Sequence, residues 1–63
     1  MEAIHIKTGN KYFVINDGII NATNANDGQL MVLYSGKRRG SDSMGVFVRE
    51  RSEFLEKFKI IKQ

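Results

Sequence analysis

The chain lacks cysteine, proline and tryptophan, and it has one histidine among its 63 residues. The absence of cysteine excludes disulfides and thiolate-rich metal sites, and His5 has no second histidine with which to hold zinc. The longest apolar run, residues 30–34, is far shorter than the roughly 20 residues that a membrane-spanning helix requires. We therefore expect no metal, no cofactor and no membrane partner.

The length predicts a single small domain over residues 1–63. A domain of this size buries only about 60% of the surface that its unfolded chain exposes, so its core must be small. Hydrophobic residues make up 41% of the sequence, which is enough for such a core. The first residues lack the basic start and apolar stretch of a secretory signal, and we expect a cytoplasmic location.

The net charge of +3 comes entirely from residues 37–51, where five basic side chains stand against Asp42 and Glu50. Elsewhere five lysines balance five carboxylates. The potentials of clustered charges add, so this segment predicts a surface that meets an acidic partner. The five basic residues of the segment are Lys37, Arg38, Arg39, Arg49 and Arg51.

Aromatic and β-branched runs separated by turn residues predict a mostly β fold. Asp17 and Gly18 separate two such runs, and this pair predicts the turn of a first hairpin. A second turn at residues 24–28 leads into an apolar strand that we expect inside the sheet. The polar residues 35–43 predict an exposed, mobile loop, and residues 44–49 predict a strand that pairs back across it.

Near the end of the chain the spacing of the apolar residues changes from that of a strand to that of a helix, and residues 52–58 predict one to two helical turns. Phe54, Leu55 and Phe58 are expected in the core, with Ser52 as the N-cap. A closing strand at residues 59–62 is expected, with residues 4–6 pairing either with it or with the first hairpin. The fold class is thus mostly β: a small barrel of four to six short strands with one helical turn near the C-terminus.

Four short motifs lie along the chain: Gly9 with Tyr12-Phe13-Val14, Val32-Leu33-Tyr34, Phe47-Val48-Arg49 and Phe54-Leu55-Glu56. They resemble the motifs of a family of small bacterial domains of unknown function. The resemblance implies an SH3-like barrel but no active site. Phe47 stands where this family usually has tryptophan, and Glu50 stands where it usually has proline after the arginine. The abundant asparagine and isoleucine also resemble small phage proteins.

The run of Lys37, Arg38 and Arg39 between glycines predicts either a phosphate-binding loop or a solvated loop that serves solubility. In the strand that follows, residues 44, 46 and 48 alternate with residues 45, 47, 49 and 51. If the first set faces the core, Phe47 stands outside beside arginines, a layout that stacks a nucleic-acid base. The alternative places Phe47 in the core, because bent strands bury side chains from both faces. Arg49 and Arg51 are expected to be exposed.

No catalytic motif is present. Ser41 and Ser43 beside Asp42 have no base nearby in sequence, and Tyr12 and Tyr34 are expected in the core rather than in a peptide-binding patch. These features predict a non-enzymatic binding module with nucleic acid as the favoured partner. The alternatives are a protein-interaction module, including a small phage-type inhibitor of a host protein, and a homo-oligomer.

Overall fold

The computed structural model describes residues 1–61, which form five antiparallel strands in one sheet and one short helix. The mostly β class, a strand number between four and six and the helical turn near the C-terminus are confirmed. Lys62, which was predicted to end the closing strand, lies outside the described residues. The elements are β1 (Glu2–His5), β2 (Lys11–Ile20), β3 (Leu30–Lys37), β4 (Met44–Glu50), α1 (Arg51–Lys57) and β5 (Phe58–Ile61).

The strand order across the sheet is β4-β3-β2-β1-β5. The apolar strand β3 pairs with a neighbour on each side, so its predicted interior position is confirmed. The closing strand and the first predicted hairpin were the two alternative partners for the start of the chain, and β1 pairs with both. Ala3 lies opposite Tyr12 of β2 and opposite Ile60 of β5. The two ends of the chain therefore meet in the sheet.

The predicted hairpin turn at Asp17 and Gly18 is wrong. Both residues lie inside β2, where the register against β3 shifts between Asn16 and Ile19. Asn16 accepts a hydrogen bond from the backbone N–H of Gly18 at 2.8 Å, and Gly18 does not have the positive φ that a tight primed turn requires. The pair forms an irregularity that lets β2 run on, and the connection to β3 lies in residues 21–29.

The helix was predicted within one residue of its bounds, but two details differ. Ser52 is not the N-cap, because Glu50 occupies that position without a side-chain cap and Ser52 donates its hydroxyl to the Glu50 carboxylate. Phe54 and Phe58 are buried as expected, whereas Leu55 is 47% exposed. Residues four apart share one helical face, and Leu55 lies about 100° away from that face.

The core lies on one face of the sheet, which we call the inner face, and α1 covers part of it. Tyr34 is buried as predicted, while Tyr12 and Phe47 are half-buried against this core. Among residues 1–61, no helix is long and apolar enough to cross a membrane. The buried apolar residues are Ala3, Val14, Val32, Tyr34, Phe54 and Phe58.

Alternate side chains of β4 face opposite sides of the sheet, and the set that contains Phe47 faces the core. Gly45 is buried and Phe47 is half-buried, whereas Met44, Val46 and Val48 are all more than half exposed. Phe47 therefore lies on the inner face, in agreement with the alternative that placed it at the core. We call the opposite side of the sheet the outer face. It carries the other large apolar side chains of β4, those of Met44, Val46 and Val48.

Candidate functional site

A groove rimmed by basic side chains lies at one end of the sheet, where the 6–10 turn, the 38–43 loop and the end of α1 approach one another. The first strands of the chain and the loop after β3 each supply part of its lining. We call this feature the basic groove. Its basic side chains are Lys7, Lys11, Lys37, Arg38, Arg39, Arg49 and Lys57.

The lining of the groove has a larger net charge than residues 37–51, the segment that the sequence singled out. Seven basic side chains face three carboxylates, those of Glu2, Asp42 and Glu56, so the lining has an excess of four positive charges with His5 neutral. Three of its cations come from parts of the chain whose charges sum to zero in sequence. No spacing in the sequence relates Lys7 and Lys11 to Lys57, because only the pairing of β1 with β2 and β5 brings them together.

Four of the groove cations have a carboxylate partner in the structure. Lys11 lies 3.4 Å from Glu2, and Lys37 lies 3.8 Å from Asp42. Arg49 and Lys57 share Glu53 at 2.8 and 3.9 Å. Among residues 1–61, Lys7, Arg38 and Arg39 form no ion pair, so their charges are the ones most available to an anion.

The predicted loop of residues 35–43 is shorter in the structure, because residues 35–37 continue β3 and Gly36 is buried there. The remaining loop, residues 38–43, is exposed as predicted, and its backbone is closed by hydrogen bonds. The N–H of Arg38 donates to Ser43 at 2.8 Å, and the N–H of Ser41 donates to Arg38 at 3.1 Å. The Nε of Arg38 donates to the carbonyl of Met44 at 3.4 Å. Arg38 is thus anchored along β4, whereas the side chain of Arg39 has no hydrogen-bonding partner among the described residues.

Arg49 is not exposed as expected; its side chain is 29% accessible. Its Nε donates to the hydroxyl of Tyr34 at 3.2 Å, and its Nη1 donates to Glu53 at 2.8 Å. The hydrogen bond to Tyr34 raises the pKa of Arg49 above its ordinary value, and Glu53 adds to this effect while burial opposes it. The guanidinium also lies 5.7 Å from the ring centre of Phe58. Arg49 therefore ties β4 to α1 and meets the groove only with its remaining surface.

Phe47 is not a free stacking platform, because its ring packs against Tyr34 at 5.5 Å and Tyr12 at 6.3 Å between centres. Together with His5 and Arg49, these rings line a small cavity of about 130 Å³ beside the groove. Phe47 does not line the groove itself, and its half-buried ring packs against the aromatic side chains of the core. The base-stacking role that the sequence suggested for Phe47 stays a prediction.

Tyr12 is the inner-face aromatic side chain that lines the groove directly. It makes edge-on contacts with Tyr34 and Phe58 at 5.6 and 5.4 Å, which fix its ring. Within the part of the chain that the structure describes, its hydroxyl has no hydrogen-bonding partner. Beside it, His5 accepts or donates a hydrogen bond with Thr8 at 2.9 Å. From the sequence, Tyr12 and Tyr34 were expected in the core rather than in a peptide-binding patch. The place of Tyr12 beside the groove cations was not recognised, because it depends on strand pairing.

The structure brings together four of the six residues predicted for the site. Lys37, Arg38, Arg39 and Arg49 line the basic groove. Arg51 does not, because β4 ends at Glu50 and Arg51 begins α1 as an exposed residue. The expected exposure of Arg51 is confirmed, but the strand alternation that placed it beside Phe47 does not reach it.

No protein-family model, curated protein or solved structure matches the chain. The resemblance to small bacterial SH3-like domains therefore stays a prediction. Within residues 1–61, no group of three or more His, Cys, Asp or Glu side chains is placed to hold a metal ion.

Proposed function

We propose that this protein is a non-enzymatic binding module that binds nucleic acid in the basic groove. The observation that carries the proposal is the convergence of seven cations on one groove, three of them without an ion pair among the described residues. Phosphates bound there replace condensed counterions, and release of these counterions supplies salt-dependent affinity. Such contacts position the polymer and give little sequence preference.

Lys7, Arg38 and Arg39 are the first phosphate ligands in this proposal. Lys7 lies between β1 and β2, and the two arginines lie between β3 and β4. Tyr12 of β2 lines the same groove, so we propose that a polymer backbone held by these cations passes beside its ring. A base turned inward meets the edge and hydroxyl of Tyr12, whereas a base stacked and paired in a duplex cannot reach it. The proposed ligand class is therefore single-stranded.

The test is binding of labelled single-stranded DNA and RNA to the full chain across salt concentrations. The double variant Arg38→Ala/Arg39→Ala is expected to weaken binding and to reduce the salt slope by roughly one to one and a half units. Arg51→Ala is the matched control, because it removes an exposed cation that does not line the groove. Absence of binding at low salt, or equal effects of the two sets of changes, contradicts the proposal.

The alternative is a protein-interaction module that presents the same groove to an acidic protein, as a small inhibitor of a host protein does. The favouring observation is that carboxylates of the chain itself already pair with the groove lysines Lys11 and Lys37. A pull-down with and without nuclease distinguishes the two functions. One stoichiometric protein partner that survives nuclease and is lost with Arg38→Ala/Arg39→Ala supports the alternative.

The SH3-like barrel and the cytoplasmic location belong to the same proposal. The support for the barrel is the long, irregular β2, whose register shifts bend a strand that pairs with both β1 and β3. The support for the cytoplasm is the absence of cysteine from a domain small enough to gain from disulfides. A solution structure tests the first, and fractionation of cells that express the full chain tests the second.

A further inference from the structure

The outer face of the sheet presents large apolar side chains that no element within residues 1–61 covers. Phe13 and Ile15 of β2 are at least half exposed, and so are the β4 side chains Met44, Val46 and Val48. The helix packs on the other side, against Tyr34 and Phe58 of the core. Isolated exposed apolar residues are normal, but a contiguous group on one sheet face marks an interaction surface.

The register shows that these side chains form one patch. Phe13 lies opposite Ser35, which lies opposite Val46, so one row crosses three strands. In the next row Leu33 lies opposite Val48. Aromatic and long side chains reach from one row to the next on the same face of a sheet, so Phe13 and Leu33 can join the two rows. We call this group of Phe13, Ile15, Leu33, Val46 and Val48 the outer patch.

The surface area is consistent with one side of an interface left open. The chain exposes 4788 Å², whereas a compact monomer of 7.2 kDa is expected to expose about 4,100 Å². The folded chain is therefore less compact than an average monomer of its mass by about 700 Å², and covering roughly 800 Å² of each copy in a standard interface would offset this excess.

The charges at the two ends of the outer face favour a second copy of the chain as that partner. At one end Lys37 lies opposite Met44, and Lys11 follows on the same side of β2. At the other end Glu50 lies opposite Met31. A two-fold axis that lies between the two sheets and runs across the strands places the lysine end of one copy against the glutamate end of the other, so this contact is complementary to itself. An axis along the strands would place like charges together, so the charges favour the first arrangement.

We propose that the outer patch binds the outer patch of a second copy, giving a two-fold symmetric dimer of two packed sheets. Face-to-face sheets pack about 10 Å apart with side chains interdigitated, and half-exposed valine and phenylalanine side chains suit this packing. Each copy then has a core layer on its inner face and a shared apolar layer on its outer face. The patch and the basic groove share an edge, because Phe13, Lys11 and Lys37 also line the groove. Val46 and Val48 do not line it, so a substitution at either one tests the dimer contact without removing a groove residue.

The test is the mass of the full chain in solution by sedimentation equilibrium from micromolar to millimolar concentration. The expected result is a reversible transition from 7.2 kDa to twice that mass. Val46→Glu is expected to weaken self-association by about a hundredfold or more, because each dimer would bury two unpaired carboxylates near the axis. Leu55→Glu is the matched control, an equally drastic change at an exposed apolar residue of α1 outside the patch.

A mass that stays at 7.2 kDa throughout, a mass that grows beyond the dimer, or an unchanged dimer in Val46→Glu overturns the proposal. Circular dichroism establishes whether Val46→Glu folds. If this variant does not fold, methyl NMR of the unmodified chain during dilution replaces the mass measurement of the variant. The Val46 and Val48 methyl signals are then expected to shift with concentration while those of Leu55 stay fixed, and the reverse result contradicts the proposal.

Discussion

Gly36 of β3 and Gly45 of β4 lie opposite each other in the sheet, and each is covered by a side chain from elsewhere in the chain. The ring of Tyr12 lies directly on Gly36. A Cβ at Gly45 would lie 3.0 Å from Cγ of Arg38 and 3.1 Å from Cζ of Phe47. The missing side chains therefore let the aromatic and basic groups of the groove approach the backbone.

We predict that Gly36→Ala destabilises the fold by about 1–3 kcal/mol, because the new methyl group overlaps the ring of Tyr12 and has no open space beside it. The free energy of unfolding in urea measures the effect. Gly18→Ala is the control, since its nearest heavy atom would be Oδ1 of Asn16 at 3.9 Å. Equal destabilisation by the two substitutions would show that the Tyr12 contact is not the cause.

We predict that Phe54→Ala destabilises the protein by about 3–5 kcal/mol, which is most of the stability of a domain this small. Phe54 is 1% exposed, and its ring stacks on Phe58 with centres 4.2 Å apart. Leu55→Ala, in the same helix, is expected to change the free energy of unfolding by less than about 1 kcal/mol, since Leu55 is largely solvated. Thermal and urea unfolding followed by circular dichroism compare the two, and a larger effect at Leu55 contradicts the orientation of α1.

We predict that Arg49→Lys costs about 1 kcal/mol of stability, because lysine keeps the charge but lacks the two separate nitrogens from which Arg49 bonds Tyr34 and Glu53. The folded pKa of Arg49 is raised, so its contribution is complete below the ordinary arginine pKa and is lost only as the pH rises through the folded value. The difference in unfolding free energy between the two proteins is therefore expected to stay constant from neutral to mildly alkaline pH. A difference that disappears in this window means that Arg49 does not act through a charged guanidinium.

We predict that the protein binds a single strand at least about tenfold more tightly than a duplex of the same sequence at equal salt, since only an unpaired base reaches Tyr12. Tyr12→Phe keeps the ring and its core contacts but removes the hydroxyl. This change is expected to weaken single-strand binding two- to tenfold, about the value of one hydrogen bond, with the salt slope unchanged. Fluorescence anisotropy measures both.

Equal affinity for single strand and duplex would leave phosphate binding in the groove intact but would remove the role of Tyr12. Loss of all binding to both forms would instead contradict the proposed function itself. The two failures are therefore distinguishable within one set of titrations.

Several parts of the fold were predictable because they depend on short stretches of chain. The burial of both Val32 and Tyr34 follows from an apolar run in a strand flanked on two sides. The burial of Phe54 and Phe58 was predicted from their helical spacing of four, although Phe58 begins β5 just after the helix. The prediction of a hairpin turn at Gly18 was wrong, because Ile19 and Ile20 pair with the start of β3 and so extend β2 past the Asp-Gly pair.

The candidate site was predictable only where its cations are neighbours in sequence. The run from Lys37 to Arg39 is visible in any reading of the chain, and it does line the groove. Lys7 and Lys57 were not recognised, because each stands in a segment whose charges balance. Strand pairing brings these two lysines to the same groove, and no charge pattern in the sequence between them indicates that they are close.

By itself the sequence determined the mostly β class, the interior strand, the C-terminal helix and the exposed basic loop, since periodicity and composition act locally. Only the tertiary structure decided which side of β4 faces the core. Because Phe54 and Phe58 of the helical segment cover the inner face, Phe47 and Arg49 are held there and Val46 and Val48 are left outside. Strand alternation allows either arrangement, and the choice depends on which face another part of the chain buries.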